Sequence, residues 1–143
     1  MKELNEGDKA PPFKELLENK GKTVVLYFYP RDDTPGCTTE ACELRDAHKR
    51  IAAKDAVVLG VSPDTAKSHE KFATKFDLPF TLVPDEDHTI CEAYGVWKEK
   101  SMYGRKYMGA ERTTFVIGAD GVIKKVFHKV KPAGHAEEVL GAI

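Results

Sequence analysis

The chain has 143 residues, 41% of them apolar and 31% charged, and a formal net charge of −1. That length suits one domain, residues 1–143, with a substantial core, and the composition excludes a disordered chain or a membrane protein. Near-neutral charge argues against nucleic acid or anionic lipid as the main partner, and no apolar run approaches the roughly 20 residues that span a bilayer.

Met1 to Gly7 is polar and mixed in charge. It lacks the apolar stretch of a secretory signal and the Arg/Ser bias of a transit peptide; with Met1 as the native start, a cytoplasmic protein is expected. Gly7 to Phe13 reads as a Pro-containing lead-in loop. Thr23 to Tyr29 is β-branched and aromatic without a break, as in a strand buried on both faces, and Pro30 ends it. A polar loop with Asp32, Asp33, Pro35 and Gly36 leads to Cys37, where a helical pattern begins and runs to about Ala53. Its apolar positions, Cys37, Ala41, Leu44, Ala47 and Ile51, recur at spacings of three and four.

Ala56 to Val61 repeats the buried-strand signature. Asp64 or Thr65 can cap a second helix with Ala66, Phe72, Ala73 and Phe76 on one face. A short strand is expected near Phe80 to Val83, then a short helix capped by Asp85 or Asp87 and closed by Gly95. Residues 97–111 read as an irregular loop, with Lys98, Lys100, Arg105 and Lys106 solvated on it. Thr114 to Ile117 and Val122 to His128, joined by Gly118-Ala-Asp-Gly121, read as a β-hairpin, and the last ten residues as a closing helix. Strands alternating with helices, then a hairpin and a helix, predict a three-layer α/β fold with a mixed sheet.

The chemistry concentrates in Pro30-Arg-Asp-Asp-Thr34-Pro-Gly-Cys37, which sets a cysteine in the first turn of a helix directly after a buried strand. Unpaired amides and the positive dipole end there favour a thiolate over a thiol. An ordinary cysteine, with pKa about 8.5, is only a few per cent ionised at neutral pH, so any such help enlarges the reactive fraction. Thr34 has a hydroxyl that can donate to the sulfur or to a peroxide oxygen. Pro30, bulky and without an N–H, can cover the sulfur and exclude water. The plain alternative is a cysteine that only packs beneath the sheet.

Pro30-x-x-x-Thr34-x-x-Cys37 resembles the peroxiredoxin active-site motif, and Thr34-Pro-Gly-Cys-Thr-Thr-Glu-Ala-Cys42 resembles its Q-type, or bacterioferritin comigratory protein, subgroup. Asp85-Glu-Asp-His88, Tyr94-Gly-Val-Trp97-Lys-Glu-Lys100 and Glu111-Arg-Thr-Thr-Phe115 extend the resemblance over essentially the whole chain. It implies a thioredoxin-like fold, reduction of hydrogen peroxide and organic hydroperoxides, and recycling by thioredoxin or a similar dithiol reductant. It also implies that Arg112, from a distant strand, stands in the active site. There a guanidinium would stabilise the thiolate and the charge on the leaving oxygen. Glu40, one turn into the helix, is the natural carboxylate to hold it.

In that subgroup a cysteine five residues on resolves the sulfenic acid to a disulfide, which assigns Cys42. Residues i and i+5 of an α-helix lie about 8.7 Å apart at Cα, beyond the roughly 6.8 Å limit of a disulfide, so the helix must unwind first. Arg45, Asp46 and Lys49 put Cys42 on the charged helix face. Cys91 reads as structural; the alternative, that it is the resolving thiol, stays open. Trp97 reads as packing or as a border of a reductant-docking surface. Asp85, Glu86 and Asp87 read as capping acids. The histidines at 48, 69, 88, 128 and 135 show no metal-ligand spacing, so no metal and no cofactor are expected. Without a cysteine-bearing C-terminal tail, a monomer is expected. Competing readings are a thiol–disulfide oxidoreductase, which would normally carry Cys-x-x-Cys, and a non-enzymatic holdase.

Overall fold

The computed structural model describes residues 3–143; Met1 and Lys2, the first residues of the stretch read for a targeting signal, lie outside them. In chain order the elements are α1 (Lys14–Glu18), β1 (Thr23–Phe28), α2 (Pro35–Ala53), β2 (Ala56–Ser62), α3 (Ala66–Phe76) and β3 (Thr81–Pro84). Then come α4 (Thr89–Ala93), β4 (Trp97–Met102), β5 (Arg105–Ala110), β6 (Thr113–Ile117), β7 (Ile123–Phe127) and α5 (His135–Ala142).

Five strands form one mixed sheet in the order β3-β2-β1-β6-β7. β1 runs parallel to β2 and antiparallel to β6, so it is central and satisfies its backbone on both edges. Its alternate side chains serve two cores. Val25, Tyr27 and Tyr29 pack with Cys37, Ala41, Leu44, Ala47 and Ile51 of α2, Phe72 of α3, and Val139 and Leu140 of α5. Val24, Leu26 and Phe28 pack on the other face with Cys91, Tyr94 and Phe115. The uninterrupted apolar run of β1 is what two covered faces require. Among the described residues no helix is long and apolar enough to cross a membrane.

The structure differs from expectation in three places. Residues 97–111 are not an irregular loop: β4 and β5 pair antiparallel as a separate two-stranded ribbon. Its turn is Tyr103-Gly104, both with positive φ (53° and 78°), the geometry of a tight two-residue hairpin. The ribbon carries Lys98, Lys100, Arg105 and Lys106 and leaves Met102, Tyr103, Tyr107 and Met108 exposed, so it lacks the one-sided apolar alternation that marks a half-buried strand. A short helix, α1, follows the lead-in loop. α2 starts at Pro35, two residues before Cys37, because proline suits the first helical turn, where no amide partner is needed. Of the two cap candidates for α3 it is Thr65 that serves, accepting from Ser68 N at 3.0 Å.

Candidate active site

β1 delivers the chain to Pro30, which is half-buried just past the end of that central strand, and the loop 30–34 turns it into α2. Thr34 is the N-cap residue, with extended backbone, and its carbonyl accepts Thr38 N at 2.8 Å. Cys37 is therefore the third helical residue, inside the turn whose amides have no helical acceptor, and it is buried. The register of β6 on β1 sets Thr113 opposite Phe28, which brings Arg112 level with the start of the loop. The Arg112 backbone is fixed by Val130 N donating to its carbonyl at 2.9 Å.

Arg112 joins two other expected site residues. Its Nη2 donates to Cys37 Sγ at 3.3 Å, and its Nη1 donates to Glu40 Oε1 at 2.8 Å. Burial opposes the guanidinium charge, but Cys37 and Glu40 outweigh it and raise the Arg112 pKa. Glu40 is buried one turn past Cys37; burial pushes its carboxyl up to about 7 against the pull of Arg112. Its second oxygen, Oε2, has no hydrogen-bond partner among the described residues. Gly36 makes room for this arrangement: a Cβ there would lie 3.1 Å from Arg112 Nη2 and 3.4 Å from Pro132 Cγ.

The Thr34 hydroxyl is turned elsewhere. It donates to Arg31 O at 2.9 Å rather than to the sulfur, because the loop bends back over its own carbonyl there. Cys42 lies further along α2, half-buried, with a free thiol. Cys91 is buried in α4 on the opposite face of the sheet. Burial and the neighbouring Asp85 push its thiol pKa far up.

Sequence reading missed the polar layer beneath the loop. Asp32 Oδ1 accepts from Tyr29 OH at 2.5 Å, and its Oδ2 accepts from Ser68 Oγ at 2.8 Å and lies 2.7 Å from His69 Nδ1. Against the upward push of burial, His69, Tyr29 and Ser68 hold Asp32 below the ordinary carboxylate range. His69 Nε2 lies 3.0 Å from Val83 O, and Asp64 Oδ2 accepts from Asp32 N at 2.7 Å and from Ser62 Oγ at 2.7 Å. Asp32, Asp64 and His69 thus bring ligand-type atoms within 4.8 Å of one another, although nothing in the histidine spacing suggests it. Their polar atoms are engaged in the network that anchors the loop. The available signal was His69 itself, three residues before Phe72 on the inward face of α3. Lys100 departs from the solvated position expected for it. It is partly buried, and burial and the Arg112 charge lower its pKa.

Residues 5–126 match the AhpC/TSA family. Bacillus subtilis Peroxiredoxin Bcp is 48% identical over 94% of this chain and 91% of its own length. Among solved structures, a cysteine-to-serine variant of Xylella fastidiosa PrxQ superposes with a TM-score of 0.91 at 39% identity, covering 99% of this chain and 96% of that one. Xanthomonas campestris bacterioferritin comigratory protein, studied for alkyl peroxide reduction, gives a TM-score of 0.84 at 43% identity over 89% and 81% of the two chains. The thioredoxin-like arrangement of a five-stranded mixed sheet between helices is common to them.

Proposed function

The chain belongs to the AhpC/TSA family, among its Bcp/PrxQ peroxiredoxins, and is a thiol peroxidase; on that premise we propose that Cys37 is the sulfur that attacks the peroxide. The observation that carries this reading is the Arg112 guanidinium, held by Glu40 and donating to Cys37 Sγ at 3.3 Å in the first turn of α2. A fixed cation and helix amides stabilise an anionic sulfur, and the same cation can meet the negative charge that develops on the departing oxygen.

In the proposed cycle the Cys37 thiolate attacks the terminal oxygen of a hydroperoxide. The O–O bond breaks, the alkoxide or hydroxide leaves and is protonated, and Cys37 becomes a sulfenic acid. Cys42 then attacks that sulfur, releases water and forms an intramolecular disulfide, which a thioredoxin-type dithiol reduces. Hydrogen peroxide and organic hydroperoxides are the substrates proposed; alkyl peroxide reduction by the Xanthomonas relative supports the second class. Pro30 shields the sulfur, and Thr34 serves the peroxide oxygen once its hydroxyl leaves Arg31 O. The burial of Cys91 and its carboxylate neighbour favour Cys42 as the resolving partner.

Peptide mapping after one equivalent of peroxide tests the cycle. A Cys37–Cys42 disulfide is expected. Cys42→Ser should consume one equivalent and then stall or over-oxidise at Cys37. A Cys37–Cys91 bond in the wild type would transfer the resolving role to α4.

A further inference from the structure

We propose that α3 is the fixed frame against which α2 opens, and that Arg45, clasped to the end of α3, is the positioning residue that stops the opening just beyond Cys42. This rests on the Cys37–Cys42 disulfide proposed above, which a regular helix cannot span.

The chain is tied to α3 immediately before the two cysteines. Asp32 is bound to Ser68 and His69 of α3, at 2.8 and 2.7 Å, and Lys75 Nζ reaches Asp33 Oδ2 at 2.8 Å. It is tied again immediately after them. Arg45 Nη1 donates to Phe76 O at 2.8 Å, while its Nε donates to Asp46 Oδ1 at 3.0 Å. Phe76 is the last residue of α3, and Asp77 beyond it is left-handed, with φ 51°. A carbonyl at that position has no helical amide to accept from, and a cation there also meets the negative end of the helix dipole.

Between the two ties the pattern changes. Among the described residues, the side-chain hydrogen bonds of residues 34–44 stay within the segment and its loop or go to Arg112 and Gly134. None goes to α3. Opening therefore releases the Arg112 contacts to Cys37 and Glu40, the Glu43 contact to Gly134 N and the core packing of Cys37, Ala41 and Leu44, while both ties to α3 can persist. With its ends held, the opened segment is a short loop, and the two sulfurs meet at small entropic cost. Without the clasp the unwinding can run on to the next core residues, Ala47 and Ile51, and the sulfurs disperse.

The experiment compares the full chain with Arg45→Met and Arg45→Lys variants. Disulfide formation is timed by quenched mass spectrometry after one equivalent of peroxide, and amide exchange is followed in reduced and oxidised protein. Arg45→Met keeps the stem and loses the donors. It should slow the step from sulfenic acid to disulfide about tenfold, the size expected for losing one charge-assisted hydrogen bond. Exchange protection across residues 46–53 should fall in its oxidised form far more than in its reduced form. Lysine, with one donor able to reach Phe76 O, should recover most of both effects. An Arg45→Met protein with the wild-type rate and the wild-type exchange boundary would overturn the clasp. So would a loss of protection equal in both redox forms, or a defect that lysine does not rescue. If instead the wild type forms no Cys37–Cys42 disulfide, the underlying cycle fails, and peptide mapping separates that result from the others.

Discussion

Cys37 and Cys91 make a natural experiment within one chain. Each is the third residue of its helix and each is buried, one on either face of the central sheet. Cys37 faces the Arg112 guanidinium. At Cys91 the free helix amides are already taken: Asp85 Oδ1 accepts Ile90 N at 3.0 Å and Asp85 Oδ2 accepts Cys91 N at 2.8 Å. On the proposed role of Cys37, a helix N-terminus alone does not make a nucleophile. What matters is whether its positive end is left for the sulfur and reinforced by a cation, or consumed by a carboxylate that repels a thiolate.

The largest expected effect comes from exchanging sulfur for oxygen at each site. Cys37→Ser should abolish peroxidase turnover, because a serine hydroxyl is not appreciably ionised at neutral pH, whereas Cys91→Ser should turn over nearly as the wild type does. Retention of more than a few per cent of the rate in Cys37→Ser would end the contrast. Arg112→Ala comes next. Removing one preorganised charge stabiliser should slow the peroxide step by about 10²-fold or more. An unchanged stopped-flow trace would leave Arg112 a purely structural residue.

Gly36→Ala probes the same cation by crowding. The new methyl would sit 3.1 Å from Arg112 Nη2, so the guanidinium would have to give way by a few tenths of an ångström. A displacement of a few tenths of an ångström should cost about tenfold in peroxide reactivity, since misplacement by about 1 Å can cost 10²-fold. Asp85→Asn sharpens the other side of the comparison. An amide oxygen can replace only one of the two carboxylate acceptors, so the fold should lose about 1–2 kcal/mol in urea unfolding while peroxide reactivity stays intact. A rate loss larger than the stability loss would tie α4 to catalysis.

The two cysteines also show what the sequence made legible. The Pro30, Thr34 and Cys37 spacing, set after an unbroken apolar strand, located the candidate nucleophile because local chain geometry alone puts it at a helix start. The contact of Arg112 with Cys37 and Glu40 depends on the pairing of β6 with β1, a long-range register that no local pattern reports; only the family resemblance anticipated it. The polar layer of Asp32, Ser68 and His69 was illegible for the same reason, being assembled from a loop and a helix far apart in sequence. The β4–β5 ribbon escaped because periodicity reveals a strand through one buried face, and most of this ribbon is exposed.

A pH titration tests the group behind the cation. Glu40 is buried with one oxygen on Arg112 and the other without a partner among the described residues, and burial pushes its carboxyl from 4.5 to about 7. Between those values the folded chain holds a proton that the unfolded chain has released. Stability from this group is therefore present below pH 4.5 and falls as pH rises to 7. At about 1.4 kcal/mol for each pH unit between the two values, the full loss is about 3 kcal/mol. Glutamine at this position cannot titrate and still offers Arg112 an acceptor. The unfolding free energy of wild type minus that of Glu40→Gln should thus decline by most of this amount between pH 5 and pH 8, measured by urea titration at each pH. Because Arg112 keeps a partner, the peroxide step of Glu40→Gln should lose far less than that of Arg112→Ala. A difference in stability that does not change with pH would mean that Glu40 is ionised throughout. Cys37 would then face a cation already paired with a full negative charge, and its advantage over Cys91 would rest more on the helix amides than on Arg112.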